Sequence, residues 1–250
     1  MCRHLAFLGE PVALAELLLR PPHSLEHQSW APRSQTSGVV NADGFGVGWW
    51  AEGDPVPARY RRAVPIWGDP SFADLARVVR TGALLAAVRG ATLPGADGEA
   101  AAAPFAGDRR LFSHNGAVPG WPGPMGALAA TLPAAELLAL EARTDSAFLW
   151  ALVLHRLRAG EAPEAALAGT AREAAEAAPG SRLDMLLTDG TAITAVTWGN
   201  SLSTLTGPDR VVVASEPYDD DPRWRPVPDR TVLTATRAGV ALTPLEEHSP

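Results

Sequence analysis

The 250-residue chain predicts an α+β fold, and three observations carry that expectation. Its length and 46% apolar content suffice for a full buried core. Stretches with strand character open and close the chain, and the longest helical stretch lies between them. The strands do not alternate with helices as a parallel sheet requires, so antiparallel sheets layered with helices are expected.

The elements follow in order. CRHLAFLG, residues 2–9, reads as a first strand, and PVALAELLLR, residues 11–20, as a short helix stopped by Pro21 and Pro22. After a loop, GFGVGWWA (44–51), ALLAAVR (83–89) and RRLFSHN (109–115) have the length and residue types of buried strands. SFADLARVVR (71–80) is helical between the first two. Residues 133–178 are mostly helical, broken near Arg143 and at Gly160. RLDMLLTDGTAITAVTWG (182–199) predicts a hairpin turning at Asp189 and Gly190. LSTLTG (202–207), RVVVAS (210–215) and TVLTAT (231–236) continue the antiparallel rhythm. No repeat, charge run or linker marks a boundary, so a single domain over residues 2–250 is expected.

Composition narrows the function. The net charge of −7 offers no basic field for phosphates, which argues against a nucleic-acid partner. Glu10 and Pro11 interrupt the first apolar run too early for a signal sequence or a membrane span. The single cysteine can form no internal disulfide and no cysteine-based zinc site, so a reducing, cytoplasmic setting is expected.

That cysteine is the second residue. Removal of the initiator methionine would give Cys2 a thiol and a free α-amine, a nucleophile with its own base, since an α-amine titrates at about 7.7 to 8.0. An inert thiol on a first strand is the other reading. Arg89 ends an apolar strand in VRGAT and suits either solvent or a carboxylate. Asn115 and Gly116 form an ordinary turn dipeptide, or two donors that converge on a developing oxyanion. Asp145 follows Thr144, a plausible N-cap, and on its own reads as a first-turn carboxylate favoured by the helix dipole.

Taken together, MCRHLAF, NADGFGVGW, VRGAT, HNG and RTDS, in this order, resemble the class II glutamine amidotransferases, a branch of the N-terminal nucleophile hydrolases. The resemblance implies a four-layer αββα sandwich and chemistry that needs no metal or organic cofactor. It implies Cys2 as the nucleophile, Asn115 and Gly116 as the oxyanion hole, Arg89 and Thr92 on the substrate α-carboxylate, and Asp145 on its α-ammonium. Leu93 stands where the family often has histidine.

QSWAPR, NADGFGVGWW and ASEPYDDDPRWRPVPDRTVLT are similar to the short γ-glutamyl hydrolases of ergothioneine biosynthesis. That branch removes glutamate from γ-glutamyl-hercynylcysteine sulfoxide, which implies a small-molecule substrate. Its trimethylammonium would need aromatic faces or carboxylates. Trp30, Trp121 and Trp224 are candidate faces, or simply large core residues. Ser215 and Glu216 sit where a strand ends, placed either to meet the distal half of the substrate or to serve as a polar strand end. A glutaminase subunit that passes ammonia to a separate synthetase, and a non-catalytic γ-glutamyl binder, are the alternative functions.

Overall fold

In the computed structural model, residues 2–35, 38, 40–91 and 98–245 are described. The first part of the chain forms β1 (Arg3–Ala13), α1 (Leu14–Leu18), α2 (Leu25–Gln28), β2 (Phe45–Trp49), β3 (Ala58–Arg62), α3 (Pro70–Val78) and β4 (Arg80–Val88). There follow β5 (Phe105–Gly107), β6 (Arg110–Ala117), α4 (Gly126–Ala129), α5 (Ala134–Leu138), α6 (Asp145–Arg158) and α7 (Pro163–Ala177). The chain closes with β7 (Arg182–Thr188), β8 (Ile193–Thr197), β9 (Ser203–Gly207), β10 (Arg210–Ala214), β11 (Arg225–Pro226), β12 (Thr231–Thr236) and β13 (Gly239–Pro244). No described helix is long and apolar enough to cross a membrane.

Two antiparallel sheets result, one ordered β11-β9-β10-β1-β4-β2-β3 and the other β13-β12-β8-β7-β6-β5. The period-two geometry of a strand sends alternate residues to opposite faces, and both faces are buried here. In β1, Ala6 and Leu8 enter an apolar layer with Leu111, Leu186 and Leu233 of the other sheet. Leu5 and Phe7 turn outward to pack with Leu14, Leu18 and Phe72 of α1 and α3. The second sheet is covered in the same way by α6 and α7, through Phe148, Leu149, Leu167 and Ala171. The layers therefore run helix, sheet, sheet, helix, the αββα order that the sequence resemblance implies.

β2 shows how composition permits this stacking. Phe45 and Val47 join the helix-side core, while Gly46 faces the second sheet. A Cβ at Gly46 would lie 2.3 Å from the Ala103 carbonyl oxygen, so a side chain there would force the backbones apart.

Local signals set the helix starts. Asp69 caps α3 by accepting from Ser71 N–H and Phe72 N–H at 3.1 and 3.2 Å, with Pro70 in the first turn. Thr144 caps α6 by accepting from Ala147 N–H at 3.2 Å. Asp189 Oδ1 accepts from the N–H groups of Thr191 and Ala192, which closes the expected β7–β8 turn.

The helix predicted from Pro11 begins three residues later. β1 continues through a register shift after Leu8 and pairs Val12 with Thr81 and Ala13 with Arg80. Sheet pairing there overrides the helical apolar spacing.

Candidate active site

Cys2 stands at the head of β1, a strand flanked on both sides by β10 and β4. Its position is thus fixed by the centre of a sheet and not by a free terminus. Arg3, fully buried, holds the segment by donating from Nε to the Cys2 carbonyl at 2.8 Å. Burial lowers the Arg3 guanidinium from its ordinary value, and the Glu216 carboxylate, 3.9 Å away, opposes that shift.

β1 meets β6 across the inter-sheet layer, where His4 Nδ1 and Ser113 Oγ are 3.1 Å apart. Burial first, then the charge of Arg3, pushes the His4 pKa well below its usual value, so this imidazole is neutral.

A cavity opens where β1 begins and β4 and β6 end. Among its described lining residues are Cys2, Arg89, His114, Gly116, Trp121 and Asp145. Its enclosed part holds about 70 Å³, and it opens to solvent at its mouth. Four residues expected from the sequence, Cys2, Arg89, Gly116 and Asp145, thus share one wall system. Arg89 is held at the end of β4 by backbone pairing to Gly44 and Asp43, and its Nη1 donates to the Asp43 carbonyl at 3.1 Å. Asp145 accepts from Ser146 N–H at 2.8 Å and, through Oδ2, from Val118 N–H at 3.0 Å.

Gly116 has no room for a side chain. A Cβ there would lie 1.8 Å from the Arg182 carbonyl and 2.5 Å from His114 Nε2. His114 Nε2 donates to that same carbonyl at 3.0 Å, and Nδ1 lies 2.9 Å from the Ser146 hydroxyl.

Asn115 lies behind the cavity wall, fully buried on the inter-sheet face of β6. Its Nδ2 donates to Ser215 Oγ at 3.4 Å, and its backbone carbonyl accepts from Asn200 Nδ2 at 2.9 Å. Ser215 in turn accepts from His4 N–H at 3.0 Å, close in sequence to Cys2. Glu216 is also buried, and its two oxygens accept from the N–H groups of Arg33 and Ser34 at 3.0 and 2.7 Å. It pins the loop after α2. Neither Ser215 nor Glu216 is among the cavity's described lining residues. Thr92 lies outside the described residues.

Of the tryptophans weighed from sequence, Trp121 lines the cavity, braced on Phe148 with ring centroids 5.4 Å apart. Trp30 stands edge-to-face with Trp67, and Trp224 is buried against Tyr218. His114, Arg143 and Ser146 also line the cavity, and sequence reasoning does not single them out although HNG and RTDS contain them.

Chemically, the cavity brings a thiol together with a guanidinium and a carboxylate. Opposite charges on one small site suit a zwitterionic amino-acid head group.

No family model matches the chain. A γ-glutamyl-hercynylcysteine sulfoxide hydrolase of Mycolicibacterium smegmatis is 44% identical over 245 residues, 98% of this chain and 100% of that protein. One from Mycobacterium tuberculosis is 43% identical, over 98% of this chain and 97% of that protein. A solved structure described as a glutamine aminotransferase class-II domain protein from Silicibacter pomeroyi superposes with a TM-score of 0.70 at 25% identity, covering 98% of this chain and 100% of that one. With identity of this order along almost its whole length, the chain belongs to the γ-glutamyl-hercynylcysteine sulfoxide hydrolase family, within the class II glutamine amidotransferases.

Proposed function

We propose that the chain is a γ-glutamyl amidohydrolase that cleaves γ-glutamyl-hercynylcysteine sulfoxide to glutamate and the free amine. The observation that carries this reading is the convergence of Cys2, Arg89, Gly116 and Asp145 on one cavity in a member of this family. Arg89, with Thr92, receives the substrate α-carboxylate, and Asp145 receives the α-ammonium. These contacts aim the γ-carbonyl at Cys2.

The chemistry runs in two halves. The Cys2 α-amine, freed by removal of Met1, takes the thiol proton, and the sulfur adds to the γ-carbonyl carbon. The negative oxygen is met by the Asn115 amide and the Gly116 N–H. The C–N bond then breaks, the departing nitrogen takes the proton back from the α-ammonium, and a γ-glutamyl thioester remains. Water gives a proton to the same amine as it attacks the thioester. The C–S bond breaks, and glutamate leaves with Cys2 restored. Asn115 reaches this work from behind the wall, with Ser215 as its support.

Trp121 offers the aromatic face for the trimethylammonium, whose desolvated contact can contribute about 2 kcal/mol. The test is glutamate release from a panel of γ-glutamyl amides. The methylated sulfoxide substrate should give a kcat/KM more than about tenfold above glutamine. Equal values would replace this reading with a general glutaminase.

A further inference from the structure

Asn115 and Asp184 stand directly opposite each other in the β6–β7 register, on the face turned toward the first sheet. Opposed side chains of an antiparallel pair have Cβ atoms about 4.5 to 5.5 Å apart, close enough to interact. Both residues are 0% exposed. Each also has one oxygen, Asn115 Oδ1 and Asp184 Oδ2, that has no hydrogen-bond partner among the described residues. Two unpartnered buried acceptors on opposed residues are costly, and one proton shared between them would satisfy both.

We propose that Asp184 is a positioning residue for catalysis: in its protonated form its Oδ2–H donates to Asn115 Oδ1 and turns the Asn115 NH2 toward Ser215 and Cys2. The proposal rests on the reading of Asn115 as an oxyanion donor. The remaining bonds around the pair fit this orientation. Asp184 Oδ1 is already taken by Trp198 N–H and Asn200 N–H, at 2.8 and 3.2 Å, which leaves Oδ2 as the protonated oxygen. Asn115 Nδ2 faces Ser215 Oγ, the same hydroxyl that accepts from the His4 N–H, two residues along β1 from Cys2.

The charged groups facing Asp184 are Arg3 from β1, which favours ionisation, and Asp229 from the segment before β12, which opposes it. Burial outweighs both the arginine and the two backbone donors, and the carboxyl is pushed up to about 7.

The test is the pH dependence of kcat for the wild type, Asp184→Asn and Asp184→Ala, each with Cys2 at its N-terminus. Wild-type kcat should fall as the pH rises above about 7, because ionised Asp184 no longer donates. Asp184→Asn supplies a permanent N–H donor, so its kcat should match the wild type at lower pH and lack that alkaline fall. Asp184→Ala should lower kcat about tenfold or more below about pH 7, where the wild-type carboxyl holds its proton, with KM unchanged, and the two should converge above it. A wild-type kcat that does not fall on the alkaline side overturns the proposal, as does the same fall in Asp184→Asn or an undiminished kcat in Asp184→Ala at the lower pH. The wild-type profile decides even if a variant does not fold. If Asn115→Ala keeps full kcat, the oxyanion reading itself has failed; if it loses kcat while the Asp184 variants behave as wild type, only this proposal has.

Discussion

Asp145 Oδ2 accepts a hydrogen bond from the Val118 N–H at 3.0 Å, which ties the first turn of α6 to the segment that leaves β6. The carboxylate proposed for the substrate ammonium is therefore positioned from the strand that carries Asn115 and Gly116. Asp145→Asn keeps the shape and removes the charge. It should lower kcat/KM by about tenfold or more, the worth of a hydrogen bond to a charged group, and lower Tm as well, because an amide NH2 cannot accept from the Val118 N–H. A lower Tm with intact kcat/KM would make Asp145 a helix-end residue alone.

Asn115→Ala and Gly116→Ala should fail differently. Asn115→Ala should fold and lose kcat roughly 10²-fold, the usual cost of one oxyanion donor. Gly116→Ala puts a Cβ 1.8 Å from the Arg182 carbonyl, so the β6–β7 pairing has to shift. Its Tm should drop well below that of Asn115→Ala. Equal Tm values would contradict the packing described for β6.

Trp121→Ala should raise KM for the methylated sulfoxide substrate about tenfold while KM for glutamine changes little, because glutamine carries no quaternary ammonium. An equal rise for both substrates would assign Trp121 to the cavity wall and not to recognition of the distal half.

Asp184 also makes stability depend on pH. Its folded-state value of about 7 lies above the unfolded value, so in the window between them the folded chain holds a proton that the unfolded chain has released. Stability from this group is present at low pH and is lost as pH rises through that window. Asp184→Asn removes the ionisation, so its Tm relative to the wild type should improve from about pH 5 to about pH 8. A Tm difference independent of pH would mean that Asp184 does not change ionisation there.

The central strands are legible in the sequence because both of their faces are buried, which leaves nearly continuous apolar runs such as ALLAAVR and RVVVAS. The strands that the sequence does not reveal, β3, β5, β11 and β13, are the four sheet edges. Edge strands here are short or poorly buried, and ARYRR in β3, with three arginines, shows no apolar alternation to detect.

The site divides along the same physical line. Cys2, Arg89, Gly116 and Asp145 lie in short motifs at element ends, where polar residues interrupt apolar runs and stand out. Asp184 sits inside RLDMLLT, and its importance depends on the cross-strand partner Asn115, which the register alone supplies. Glu216 is similar: its partners are the N–H groups of Arg33 and Ser34, far away in sequence.

In the proposed mechanism Cys2 works through both its thiol and its own α-amine. The most direct measurement pairs intact mass with glutamate release on the same preparations, one beginning at Cys2 and one carrying residues before it. Hydrolysis is expected only where the mass shows Cys2 at the N-terminus, and none from the extended chain although it folds. Full hydrolysis by a chain whose mass retains residues before Cys2 would contradict this mechanism.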